Sequence, residues 1–158
     1  MASRIVLNTG PTIALARGDA LDVVAQLPIE FVAPVEVRDE LDEGTRQGHP
    51  VVAVAWIRFA TCASPISPIA LAELERAEAA VVQLALEQRI ACVAIDERKG
   101  RRAARAVGLS VTGTLGLLGR AKVHGIIPAA RPYIDRMQAN SVWFEEELVR
   151  RFLAQLGE

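Results

Sequence analysis

Five short apolar runs, separated mostly by stretches with helical spacing, constrain this chain more than any other feature. The runs lie at 4–8, 29–33 (Ile29-Glu30-Phe31-Val32-Ala33), 57–62, 90–95 (Ile90-Ala91-Cys92-Val93-Ala94-Ile95) and 109–112, and they read as strands. Segments at 12–17, 20–27, 35–47, 69–88 and 97–107 carry the 3.6-residue period of helices. Such alternation argues for an α/β sheet, mostly parallel, with helices on both faces. Pro34 and Pro68 stand near helix starts, where a missing N–H costs nothing. Gly108 follows the 97–107 segment as a C-terminal cap does.

Beyond Thr112-Gly113-Thr114, the spacing of Leu115, Leu117, Leu118 and Ala121 predicts another helix ending near Gly125. Residues 128–158 read as a helical C-terminal extension of two further helices. Ser141 is placed to cap the last of them, and Phe144, Leu148, Phe152 and Leu156 form its apolar stripe. That stripe packs either on the chain's own core or on a partner.

A length of 158 residues with 51% hydrophobic content suffices for one well-buried core, so a single domain over 1–158 is expected. The 18 basic and 19 acidic residues nearly cancel, so any polyanion must be bound by a local patch. No run approaches the roughly 20 apolar residues that span a bilayer, and a soluble, cytoplasmic protein with no membrane partner is expected. Cys62 and Cys92 lie in apolar runs and read as small buried thiols. Neither a disulfide nor a zinc site enters the reading. No phosphate-binding Gly-rich loop, nucleophile elbow or Ser/His pairing is present.

Four residues carry the chemistry. Asn8 ends the first strand, before Thr9-Gly10-Pro11, at the sheet edge where α/β proteins collect ligands. It is either a helix cap or a member of a site. Glu78 falls on the apolar face marked by Leu71, Leu74, Val81, Val82 and Ala85, where a carboxylate must be protonated, paired or bound to a cation. Glu40 stands near the inner face set by Val37 and Leu41, whereas Glu36, Asp39 and Glu43 read as exposed. Asp96 ends the most convincing buried strand, and either caps the helix that begins at Glu97 or joins the others. Three carboxylates and an amide suit a hard divalent ion, Mg²⁺ or Mn²⁺, which can activate a water against a phosphodiester. Arg98, Lys99, Arg101, Arg102 and Arg105 follow directly, as a solvated helix face or a phosphate-binding one.

The segments V-L-N-T-G-P-T-I-A-L-A, A-P-V-E-V-R-D-E-L, L-E-R-A-E-A-A-V-V-Q-L-A-L-E and V-A-I-D-E-R-K-G-R-R-A-A-R-A-V-G-L-S-V-T-G-T-L-G-L-L-G-R-A-K together resemble the PIN domain. Within it they look most like a VapC-related, toxin-like subfamily, over nearly the whole chain. The resemblance implies a three-layer α/β sandwich and a Mg²⁺- or Mn²⁺-dependent endoribonuclease. It also implies the toxin half of a toxin–antitoxin pair, silenced by a small antitoxin and commonly a homodimer. By position, Glu40, Glu78 and Asp96 match the family's acids, and Asn8 takes the place of the first-strand Asp. Thr112 and Thr114 fall where relatives place a hydroxyl or further acid, and Thr9 adjoins Asn8. Asn8 offers a neutral oxygen, so weaker metal binding is expected, with one metal held by Asp96 and with Glu78, Glu40 and Asn8 nearby. Another outcome is a PIN-fold RNA- or protein-binding module without catalysis. A receiver-like phosphoacceptor at Asp96, with Thr112 and Lys122, is a third.

Overall fold

The computed structural model describes residues 3–158. Its strands are β1 (Ser3–Leu7), β2 (Ile29–Pro34), β3 (Ile57–Ala60), β4 (Cys92–Ala94) and β5 (Ser110–Thr112), all parallel, in the order β3-β2-β1-β4-β5. The expected mostly parallel sheet is thus wholly parallel. Burial on both faces accounts for the continuous apolar strands: Val6, Leu7, Val32, Val93 and Ala94 are inaccessible to solvent.

The helices are α1 (Thr9–Arg17), α2 (Leu21–Ala25), α3 (Val35–Arg46), α4 (Pro68–Glu73), α5 (Arg76–Glu87), α6 (Arg98–Ala106), α7 (Thr114–Val123), α8 (Arg131–Ala139) and α9 (Glu146–Gln155). α5 lies across β1, β2 and β4 and touches α6, while α1, α2, α7 and α8 pack with one another. The connections β1 to β2 and β3 to β4 cross the sheet in opposite directions, which under the right-handed rule puts α1 and α5 on opposite faces, giving the three-layer sandwich. α3 contacts both α1 and α5. Gly108 takes φ +86° just past α6, as the cap reading requires.

Two local expectations are corrected. The helical segment 69–88 is broken at Leu74, whose backbone is extended (φ −119°, ψ 154°). Glu75 there caps α5, with Glu78 at its third position, and their reciprocal bonds satisfy amides that a continuous helix would have bonded internally. Ser141 does not cap α9. It sits in a left-handed turn (φ +70°), its neighbour Val142 donates its N–H to Met137 O (2.9 Å), and Glu145 occupies the cap position instead.

Of the tail stripe, Phe144, Phe152 and Leu156 pack against the main core, while Leu148 is 44% exposed and Leu153 is the buried residue. Gly119 of α7 makes room for it: a Cβ there would lie 3.1 Å from the Phe152 ring. The Glu158 carboxylate secures the arrangement, accepting the N–H groups of Ala130 (2.8 Å) and Arg131 (3.0 Å) at the start of α8 and pairing with Lys122 (3.0 Å). Among the described residues no helix is long and apolar enough to cross a membrane.

Candidate functional site

The strand order reverses between β1 and β4. In an open parallel sheet the crevice at that reversal, beyond the carboxyl ends of the strands, is where ligands bind. Asn8 follows β1 directly, its N–H donating to Ala94 O of β4 (3.1 Å), and Asp96 lies two residues beyond β4. Both line an open groove of about 1740 Å³ together with Thr9, Glu40, Glu78 and Thr112.

Asn8 occupies the N-cap position of α1 but makes no side-chain cap bond. Its Oδ1 is buried without a hydrogen-bond partner among the described residues, as is Thr9 Oγ1 beside it. Leaving a buried polar oxygen unbonded costs about 1–3 kcal/mol. Capping therefore does not explain Asn8. Thr12 holds the turn by donating Oγ1–H to Asn8 O (2.8 Å).

Asp96 is exposed, and it does not cap α6, whose cap position is Glu97. Its carboxylate is tied instead to the start of α7: Oδ1 accepts the Thr114 N–H (2.9 Å) and Oδ2 the Thr114 hydroxyl (2.6 Å). A helix N-terminus favours an anion there. Thr114 is fully buried behind Asp96 and takes no part in lining the groove. Gly113 is required by the same packing, because a Cβ would fall 2.5 Å from Asp96 Oδ1 and 3.0 Å from Arg101 Nη1. Gly113→Ala is expected to displace Asp96 and, as overpacking does, to lower stability by about 1–3 kcal/mol, readable in a thermal melt.

Glu78 is buried, 8% exposed, in the first turn of α5. Oε2 accepts the Glu75 N–H (3.3 Å), whereas Oε1 has no partner among the described residues. Gly100 of α6 provides the space, since a Cβ there would stand 3.2 Å from Glu78 Oε1 and 2.9 Å from Ile95. Burial pushes the Glu78 carboxyl above its ordinary range, and the charges of Glu97, Glu75 and Glu40 push in the same direction.

Glu40 lines the groove but is exposed, on its rim; Val37 and Leu41 alone hold the inner face of α3. The inward expectation for Glu40 is corrected, because its side chain leaves α3 toward the open crevice. Glu36, read as exposed, is half-buried with Oε2 unpartnered, in a separate small pocket with Cys62 and Arg76. Burial pushes the Cys62 thiol up to about 11, which leaves it un-ionised and a poor nucleophile.

The five cations of α6 divide. Arg101 is partly buried and donates Nη1 to Ile95 O (2.7 Å) and Thr112 O (3.2 Å), stapling the ends of β4 and β5. Burial and the neighbouring Arg105 lower its pKa. Arg98, Lys99, Arg102 and Arg105 are exposed along the groove and make no ion pair among the described residues. Arg101 is thus a structural member of the cluster, and these four are available to an anion.

Sequence reasoning did not single out as site residues Glu97, whose charge with that of Glu75 reaches Glu78, or Trp143, which lines the groove. The E-x-x-E spacing of Glu75 and Glu78 lacks the Ser, Thr, Asp or Asn that marks a capping box in sequence. Trp143 offered no signal either.

Among the described residues no three His, Cys, Asp or Glu side chains are gathered closely enough to ligate one ion. The donor types nevertheless fit a hard cation. Asn8 Oδ1 and Glu78 Oε1 are buried oxygens with no hydrogen-bond partner among the described residues, on residues that line the same groove as Asp96, and oxygen ligands of this mixed amide and carboxylate kind suit Mg²⁺ or Mn²⁺.

A family model described as PIN domain (DUF3368) matches residues 4–158. No curated protein and no solved structure matches the chain.

Proposed function

Since the chain belongs to the PIN-domain family, whose members are typically metal-dependent nucleases, we propose that it is an endoribonuclease using Mg²⁺ or Mn²⁺. The observation that carries this reading is the pair of buried oxygens without partners among the described residues, Asn8 Oδ1 and Glu78 Oε1, on residues that line the same groove as Asp96. Asp96, Glu78, Asn8 and, from the rim, Glu40 would hold the cation. When bound, it supplies charge neutralisation at a phosphodiester and a more acidic water.

The chain's own contribution is positioning. Thr114 fixes both oxygens of Asp96, and Arg101 and Gly113 fix the strand ends behind it. Arg98, Lys99, Arg102 and Arg105 neutralise backbone phosphates, a contact that sets register without reading bases. Thr9 and Thr112 also line the wall, with the Thr9 hydroxyl itself buried.

The toxin role belongs to the same proposal, with a small antitoxin and a second copy of the chain as partners. Its support is the resemblance of the segments quoted above. The deciding experiment is Mn²⁺-dependent cleavage of a panel of structured RNAs by the protein freed of any partner, beside Asp96→Asn purified identically. Cleavage by neither, under conditions where RNA binds, sinks the nuclease reading.

Asn8 favours a second reading, a binding module with weak or lost catalysis. An amide lends no charge to a metal, so Asn8→Asp is expected to tighten Mn²⁺, by roughly tenfold if the added carboxylate contributes about 1.4 kcal/mol. Isothermal titration with Mn²⁺ checks this. An unchanged Kd places Asn8 away from the ion.

A further inference from the structure

Trp143 is 82% exposed, in a chain with two tryptophans and 4% aromatic residues. The other, Trp56, packs edge-on against Phe31 and donates its indole N–H to Ala53 O (3.0 Å). Trp143 is displayed on a fixed piece of backbone. Its neighbours Val142 and Phe144 both pack on the core, and the turn before them is held by Asn140 Nδ2, which donates to Arg17 O (2.9 Å) and Arg136 O (3.0 Å). An indole presented in this way loses little conformational freedom when a flat ligand covers it.

What would cover it is indicated by the rest of the groove. Trp143 lines the same groove as Asp96 and the α6 cations Arg98, Lys99, Arg102 and Arg105, and Arg151 of α9 lines it as well. A stacking surface in a groove that also carries a series of backbone-neutralising cations is the combination used to bind single strands. The geometry points to Trp143 as a base-stacking residue that seats one unpaired nucleobase of a single strand held by the α6 cations. This inference rests on the ribonuclease reading, but concerns binding and not cleavage.

The test is fluorescence anisotropy in EDTA, where no metal-dependent cleavage occurs, with two labelled ten-residue probes of equal charge. One is an oligouridylate, and the other has abasic riboses in place of the nucleosides. Stacking is worth about 1–3 kcal/mol per base, so Trp143→Ala is expected to weaken the oligouridylate roughly 5- to 150-fold. Trp143→Phe should restore most of that affinity, and the abasic probe should bind all three proteins alike. The salt dependence should be unchanged, because phosphate contacts set it.

Equal weakening of both probes by Trp143→Ala, or weakening of neither, overturns the inference. So does unchanged affinity together with a shift in sedimentation, which would make Trp143 a contact to a second copy. Wild-type protein that binds neither probe overturns it too. Protein that binds as expected yet never cleaves with Mn²⁺ upholds the stacking role and removes only the nuclease reading.

Discussion

Asp96→Asn will lower Mn²⁺-dependent RNA cleavage by at least about 100-fold while leaving the fold in place. Removing even an outer partner of a metal ligand typically costs roughly 10- to 100-fold in affinity or activity, and Asp96 is the acid whose position is most rigidly set. Its two oxygens are each held by Thr114, one by the backbone N–H at 2.9 Å and one by the hydroxyl at 2.6 Å. An asparagine keeps the first bond through its own oxygen, and the Thr114 hydroxyl can rotate to accept from the new amide. What is lost is a negative charge at the start of α7, a contribution of about 0.3–1 kcal/mol. A thermal melt of the variant should therefore shift little. Full cleavage by pure Asp96→Asn would remove Asp96 from the chemistry and point to a contaminating nuclease in the wild-type preparation.

Glu78→Gln is expected to abolish Mn²⁺ binding and, in EDTA, to raise Tm by about 2–4 °C, the shift that roughly 1 kcal/mol produces in a chain of this size. The amide oxygen can keep the bond from the Glu75 N–H, so α5 retains its cap, while the repulsion from Glu97, Glu75 and Glu40 disappears. The pH dependence has a definite sign. Burial raises the folded pKa of Glu78 above its ordinary value of 4.5, so between 4.5 and the raised value the folded state binds more protons than the unfolded one. Stability then falls as pH rises through that window, and the favourable contribution is complete only below it. Glu43, Glu87 and Glu158 have lowered pKa values, and their contributions are lost in the opposite direction, as pH falls. The difference in Tm between wild type and Glu78→Gln, followed from pH 4 upward in EDTA, isolates the Glu78 effect. A difference that widens with pH and closes on adding Mn²⁺ is expected. A variant that melts lower than wild type throughout would make Glu78 a structural acid.

Much of this was legible in the residues themselves. Short β-branched runs alternating with helical spacing determined a parallel sheet layered between helices, since strands buried on both faces have to be apolar throughout. The acids that break apolar patterns, Glu78 and Asp96, were legible for the same reason: a charge where burial is expected stands out. Glu40 and Glu36 were not, because helical spacing resolves which face a residue shares but not where that face ends. The exposure of Glu40 and the burial of Glu36 depend on how α3 meets α1, α5 and the end of β3.

Other features needed tertiary structure altogether. The helix break at Leu74 replaces internal hydrogen bonds with the Glu75–Glu78 cap, and helical spacing alone does not tell the two apart. The two carboxylate bonds from Asp96 to Thr114 span 18 residues, and the Arg101 staple joins two strand ends. Neither leaves a periodic trace. Nor does Trp143, whose place on the groove follows from the left-handed turn at Ser141 and the packing of Val142 and Phe144. Local pattern alone thus determined the layers and the types of oxygen near the strand ends, though not the ends themselves, since the runs at 57–62 and 90–95 form strands only over Ile57–Ala60 and Cys92–Ala94. Which of those oxygens stay unbonded, and which cations are committed to the backbone, was decided only when distant segments met, because a hydrogen bond depends on geometry that sequence spacing does not carry.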